Sequence, residues 1–197
     1  MRYSIPSDIS RVDTNGDGYA DRLYVGDIGG LMWRFDIKDP DPNAWSGRIL
    51  FNSNVNVGSG KRKIFYPPDV TLEKGYEMVF FGTGDREHPN ETSVTNRFYA
   101  LKDRGLNATL TEDNLEDVTN GSSNPEQLTK KEGWFVSLEA NRGEKATGRT
   151  VVGYGTVYFT AFAPSSKGGE GTARVYALNY QNGNAILNLN PANDTDG

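Results

Sequence analysis

Oxygen-bearing side chains recur at alternate positions in one short stretch of the chain: Asp13, Asn15, Asp17 and then Asp21, with Gly18 directly after the third. In an Asp-x-Asn-x-Asp-Gly loop, alternate side chains turn inward and surround a hard cation with oxygen. The glycine permits the sharp turn, and the next residue, Tyr19, offers its backbone carbonyl. Asp21 stands where a ninth-position carboxylate closes the shell, directly or through water. Three carboxylates, one amide and one carbonyl leave room for water in a shell of about six to eight oxygens, which suits Ca²⁺ better than the tighter Mg²⁺ octahedron. The alternative is a plain Asp/Asn/Gly turn between strands. Position twelve of the loop is Tyr24, not a bidentate Glu, and a strand-like run follows instead of a helix. No helix-pair switch is therefore expected, and affinity falls in the range ~10⁻⁶ to ~10⁻³ M.

Other chemistry is poorly supported. The single histidine, His88, precedes Pro89 in a polar loop and reads as a solvated residue. With no cysteine, disulfides, thiolate metal sites, covalent haem and a cysteine nucleophile are excluded. Gly82-Thr83-Gly84-Asp85 has no following helix and is not a phosphate loop; Asp85 is expected to pair with Arg86 or Arg97. No two acids are set around a cleft in a way that supports glycosidase chemistry. Trp33, Trp45 and Trp134 read as packing residues. A formal net charge of -5 argues against a nucleic-acid surface, and the run Lys61-Arg62-Lys63 reads as an exposed loop edge. No apolar run approaches the ~18 residues that cross a bilayer. Met1 reads as a start placed in the middle of a longer protein.

The elements that position the loop repeat. Asp21–Asp27, a Gly29-Gly30 turn and Leu31–Ile37 form one unit. Met78–Asp85, a long insert and Arg97–Asp103 form a second. Gly155–Phe162, another insert and Ala173–Tyr180 form a third. Each pairs an aromatic, β-branched run with a second run that carries an arginine, as Arg-aromatic-x-hydrophobic in the first two units and as Arg174-Val175-Tyr176-Ala177 in the third, the signature of a repeated antiparallel hairpin. The runs are nearly continuous in apolar residues, which predicts that both faces are covered, as in stacked propeller blades. Asn182-Gly183 predicts a two-residue turn closing the third unit. Weaker strands are expected at Arg48–Phe51, Lys63–Tyr66, Trp134–Leu138 and Thr150–Val152, giving about four strands per blade. The expected fold is therefore all-β: a β-propeller, present as an incomplete set of three to four blades across residues 1–197. Segment 104–131 is expected to be an irregular insert, with one or two helical turns opened by Thr111. The tail Asn193–Gly197 reads as mobile.

The string from Val12 to Asp27, followed by Gly30-Leu31-Met32-Trp33-Arg34-Phe35-Asp36, resembles the C-terminal propeller of the PilY/PilC-type proteins of bacterial type IV pili. Ile64–Val70, Val79–Gly84, Gly133-Trp134-Phe135, Val157–Pro164 and Arg174–Tyr180 carry the likeness further. The resemblance implies a modified propeller with quinoprotein-like blades, a non-enzymatic module at the bacterial cell surface, pilus tip or outer membrane, exported through the periplasm, with pilins or minor pilins as partners. It also implies a contribution to pilus assembly, restrained retraction, adhesion and twitching motility, with calcium occupancy tied to extension and retraction. Asp13, Asn15, Asp17 and Asp21 match the family's side-chain ligands and Tyr19 its backbone ligand. Ser165–Gly169 departs from relatives that carry a cysteine near this Gly-Gly. The alternative reading is a blade fragment of a PQQ-type quinoprotein dehydrogenase, but no cofactor box accompanies the metal loop.

Overall fold

A computed structural model describes residues 1–55, 57, 60–121, 123–165 and 170–186. Three antiparallel-rich sheets follow one another along the chain. The first holds β1 (Ser10–Val12), β2 (Arg22–Gly26), β3 (Leu31–Asp36) and β4 (Ser46–Asn52), in that order. The second holds β5 (Asp69–Glu73), β6 (Tyr76–Gly82), β7 (Arg97–Asp103) and β9 (Gly133–Ser137), with the short β8 (Glu116–Asp117) added in parallel at its edge. In the third, β10 (Lys145–Ala146) and β11 (Val151–Gly153) pair with β12 (Thr156–Pro164), which pairs along nine positions with β13 (Gly171–Asn179).

The unbroken apolar runs have a direct structural cause. Successive residues of a strand point to opposite faces, and the middle sheet is covered on both. Val79, Phe81, Tyr99, Leu101 and Phe135 face the first sheet, where they meet Tyr24, Met32, Leu50 and Phe51. Met78, Phe80, Phe98, Ala100, Trp134 and Val136 face the third, where they meet Val157, Phe159 and Leu178. Phe98 stacks on Phe159 with ring centroids 3.9 Å apart, and Phe159 in turn stacks on Tyr176 at 4.6 Å. Gly26 marks how closely these layers approach: a Cβ there would lie 2.1 Å from Ile64 Cγ2.

The three principal hairpins fall where the repeat places them, and the class is all-β. A closed ring of blades is not formed by these three sheets. Several local expectations are corrected. Lys63–Tyr66 is not a strand. Its backbone runs between sheets, with Ile64 N–H donating to Asp27 O and Lys63 O accepting from Gly84 N–H, and Pro67-Pro68 ends the run. The first strand of the middle sheet is instead Asp69–Glu73, a polar run that pairs with Tyr76–Phe80. The loop after β13 contains Asn182-Gly183 but spans more than two residues, because the chain re-pairs at Leu178 with Ala185. Thr111 opens a single 3-10 turn, Glu112–Asn114, which leads into β8; the α-helix of the insert lies later, at Pro125–Lys130. Trp134 is fully buried, whereas Trp45 is 48% exposed and is not a packing residue. The outer face of the third sheet is uncovered, contrary to the expectation for its apolar runs, with Val175 69% exposed. The tail 193–197, and Ser166–Gly169 within the Ser165–Gly169 stretch, lie outside the described residues.

Candidate functional site

The loop Asp13–Asp21 joins β1 to β2, and its two ends are fixed by the sheet. Val12 pairs with Arg22, and Asp21 N–H donates to Val12 O at 2.8 Å. Inside this frame the side chains organise the backbone. One oxygen of Asp13 accepts from the N–H groups of Asn15 (3.2 Å) and Gly16 (2.6 Å), and the other from Gly18 (2.7 Å). Asn15 Oδ1 accepts from Asp17 N–H at 2.8 Å, and Asn15 Nδ2 donates to Asp17 Oδ2 at 3.0 Å. Asp17 Oδ1 accepts from Tyr19 N–H at 2.9 Å. Gly18, sixth in the loop, has φ +90°, a conformation that side-chain-bearing residues rarely adopt.

Asp21 is placed differently. It is 5% exposed, and its Oδ2 accepts from Thr14 N–H (2.8 Å) and from the Thr14 hydroxyl. The hydrogen bond from Thr14 is the main reason the Asp21 carboxyl lies below the ordinary range. For Asp13 the main cause is the Gly18 N–H, followed after a small burial cost by Gly16 and Asn15. Both groups are thus held as anions by donors that the loop itself supplies. The Tyr19 side chain is 79% exposed, so this residue has only its backbone to offer inward. The structure therefore brings Asp13, Asn15 and Asp17 into one hydrogen-bonded turn, with Asp21 tied to it through Thr14. The carboxylates of Asp13, Asp17 and Asp21 are not drawn together within 4.8 Å of one another, a spacing that only Asp85, Glu87 and His88 reach among the described residues. In that second trio, Lys63 Nζ already stands 2.7 Å from Asp85 Oδ2 and 3.6 Å from Glu87 Oε2.

Asp85 thus pairs with Lys63 and with His88 Nδ1 at 3.0 Å, not with Arg86 or Arg97. Arg86 instead lies 6.0 Å from the Phe65 and Tyr66 ring centroids. Arg62, expected at an exposed edge, is 7% exposed. Its guanidinium donates to Thr95 O (2.9 Å) and Ser53 O (2.7 Å) and pairs with Glu112 at 3.1 Å. Sequence reading also missed the charged cluster between the first two sheets. There the 1%-exposed Asp103 side chain accepts from the Tyr24 hydroxyl (2.7 Å), Arg34 Nη1 (2.7 Å) and Arg48 Nη2 (3.2 Å). Burial first, and then the neighbouring Asp103 carboxylate, push the Tyr24 hydroxyl well above its usual value. The available signal was the Arg-aromatic-x-hydrophobic pattern itself, since Arg34 stands on β3 and Asp103 ends the matching β7.

No family model matches the chain. A type IV pilus biogenesis factor PilY1 homologue of Xylella fastidiosa (strain Temecula1) is 23% identical over 221 residues, covering 95% of this chain and 15% of that protein. PilY1 of Pseudomonas aeruginosa (strain UCBPP-PA14) is 31% identical over 123 residues, covering 47% of this chain and 10% of its own. The crystal structure of the Pseudomonas aeruginosa PilY1 C-terminal domain superposes with a TM-score of 0.70 at 21% identity, over 90% of this chain and 47% of that one. The chain thus spans 15% or less of the length of these curated relatives. The resemblance to the PilY/PilC-type C-terminal domain holds in sequence and in fold.

Proposed function

We propose that this chain is a calcium-holding, non-catalytic module of a type IV pilus biogenesis protein, acting at the bacterial surface in pilus assembly and in the control of extension and retraction. The observation that carries the reading is the Asp13–Asp21 loop, with its ligand-type oxygens at alternate positions and φ +90° at Gly18. The similarity to PilY1 factors supports the pilus setting. The three stacked sheets support reading the chain as three consecutive propeller blades, because strands of successive sheets lie side by side: β5 contacts both β1 and β11.

The donor set fits a hard cation. A carboxylate offers about four lone-pair sites; Asp13 uses three of them on backbone N–H groups, and both Thr14 bonds fall on a single oxygen of Asp21. Asp13, Asn15, Asp17 and Asp21 would supply side-chain oxygens and Tyr19 its carbonyl. A bound Ca²⁺ supplies positive charge to a turn that otherwise holds three anions. The three carboxylates stand further apart than one coordination shell requires, so occupancy requires this loop to tighten. Tightening reaches the sheet through Asp21, whose backbone N–H and C=O both bond to neighbouring segments, at Val12 O and Ile37 N. The packed aromatic layers below resist a larger rearrangement. A pilus component that distinguishes the tight loop from the loose one would couple calcium to pilus dynamics by no more than its own difference in affinity for the two.

The test is Asp21→Ala and, separately, Asp21→Lys in the full-length protein, with surface pili counted and twitching motility measured. Altered piliation or motility in the alanine variant, with folding intact, is expected. The lysine places a positive charge at the same position and is expected to restore part of the parent behaviour. If both variants fold, lose calcium and leave pili and motility as in the parent, the regulatory reading is wrong.

A further inference from the structure

Where the connection between the first two sheets meets β7 and the 3-10 turn of the insert, the surface opens into a cleft of about 530 Å³. Small-ligand sites run from about 300 to 1,000 Å³. Arg62, Arg97, Glu112 and Asp113 line the cleft with charge, and Val55 and Val94 with apolar surface. Glu112 is the counter-ion that both arginines share. Its Oε1 accepts from the Tyr99 hydroxyl at 2.5 Å and stands 3.1 Å from Arg62 Nη1 and 3.6 Å from Arg97 Nε. One oxygen faces three donors, and Arg97 is the one left beyond hydrogen-bonding distance. Its Nε is buried and has no hydrogen-bond partner, although the large majority of buried polar atoms in folded proteins have one. The rest of this guanidinium is held in place. Its Nη1 donates weakly to Thr95 O (3.4 Å) and Asn96 O (3.3 Å), and its carbon lies 5.5 Å from the Phe135 ring centroid. The edge formed by Nε and Nη2 makes no hydrogen bond among the described residues. The buried Arg62, by contrast, already donates to two carbonyls, of Thr95 and Ser53.

We propose that this cleft binds the carboxylate of a small apolar acid, held by the free Nε–Nη2 edge of Arg97. That edge presents two parallel N–H donors, the arrangement that matches both oxygens of a carboxylate. The charge count points the same way. Arg62 and Arg97 bring two positive charges, and Glu112 supplies one negative charge between them. Asp113 is exposed and forms no ion pair with either arginine. One further negative charge beside Arg97 is therefore balanced, whereas a phosphate dianion would stand close to two carboxylates of its own sign. Val55 and Val94 offer apolar contact to a short hydrocarbon body, not a second charged group. The cleft is also larger than a bare carboxylate needs, so the anion arrives on a body that fills the remainder. None of these residues belongs to the β1–β2 loop, and the inference does not depend on calcium there.

The experiment is an NMR titration of the isotope-labelled chain, following the Arg97 Nε–H resonance. The probes are isovalerate, N-acetylvaline, which carries the same kind of carboxylate on a peptide-like body, isovaleramide, which has no charge, and inorganic phosphate. A saturable shift is expected with isovalerate, none with isovaleramide, and a weaker response to phosphate. N-acetylvaline binding at least as tightly as isovalerate assigns the carboxylate to a peptide end; isovalerate binding alone assigns it to a free acid. Two variants report on the mechanism through backbone resonances near the cleft. Arg97→Lys keeps the charge but loses the two-donor edge, and is expected to weaken isovalerate about tenfold or more, the share of a charge-assisted hydrogen bond. Glu112→Gln keeps an acceptor for the Tyr99 hydroxyl but removes the competing anion. It is expected to tighten isovalerate about two- to fivefold, the size of a solvent-screened charge pair. The proposal is overturned if neither carboxylate gives a saturable shift in the parent chain, or if isovaleramide or phosphate binds as well as isovalerate. It is also overturned if Arg97→Lys, when folded by circular dichroism, binds as the parent does, or if Glu112→Gln binds no more tightly.

Discussion

Replacing Asp103 with alanine removes a buried carboxylate that three other side chains address. Its side chain is 1% exposed and accepts from the Tyr24 hydroxyl, Arg34 Nη1, Arg48 Nη2 and the Gly105 N–H. Breaking a buried ion pair by deleting one partner costs about 3–5 kcal/mol, mostly because the remaining charge stays buried. Arg34 keeps Asp36 at 2.6 Å, which places its share at the lower end of that range. Arg48 keeps no other ion-pair partner among the described residues, and its Nη1 is already buried without a hydrogen bond. The stranded Tyr24 hydroxyl adds about 1–3 kcal/mol. A total loss of about 4 kcal/mol is expected, read as a lower urea midpoint at neutral pH with an unchanged slope. A double-mutant cycle isolates the tyrosine. Tyr24→Phe in the parent removes a hydrogen bond to a charged group and is expected to cost about 1.5–3 kcal/mol. In the Asp103→Ala background the same change removes an orphaned hydroxyl and is expected to cost nothing. A loss below about 1 kcal/mol for Asp103→Ala, or an equal cost for Tyr24→Phe in both backgrounds, would refute the reasoning.

Three further outcomes are expected. Phe98→Ala opens a cavity between the middle and third sheets, where the ring is fully buried and stacked on Phe159, and is expected to cost about 3–5 kcal/mol in denaturant unfolding. Gly18→Ala meets open space but forces a side chain onto φ +90°; a loss of about 1–3 kcal/mol is expected by thermal unfolding, with weaker Ca²⁺ binding by calorimetry. The third outcome concerns acid. Burial raises the Asp36 carboxyl, and the Arg34 and Arg22 guanidiniums outweigh it, leaving the group below its ordinary value. A carboxyl lowered on folding stabilises fully above its unfolded value of about 3.9 and loses that contribution as pH falls through the lower folded value. Asp36→Asn is therefore expected to flatten the stability–pH curve below about pH 4, and an unchanged curve would contradict the pairing.

The hairpins β2–β3, β6–β7 and β12–β13 were legible because aromatic and β-branched residues carry both the strand preference and the packing. The turn from Asp13 to Tyr19 was legible because the side-chain-to-backbone hydrogen bonds that shape it are local. Arg62 was not, since its burial depends on carbonyls of Ser53 and Thr95, the latter 33 residues away, that only the tertiary fold delivers. Asp69–Glu73 was missed because its polar side chains hide a strand defined by backbone pairing with β6. The helix Pro125–Lys130 left a readable signal in Asn124-Pro125-Glu126: an Asn N-cap whose Oδ1 accepts from Glu126 and Gln127, followed by proline in the first turn. The run Lys63–Tyr66 has strand-type residues but threads between layers, where Ile64 fills the space that Gly26 leaves.

Calorimetric titration of the chain with Ca²⁺ tests the central claim most directly. The account predicts one site per chain, a Kd between ~10⁻⁶ and ~10⁻³ M, a much weaker response to Mg²⁺, and loss of the heat in Asp17→Ala. No binding heat in the parent chain, or the same heat in Asp17→Ala, would contradict it.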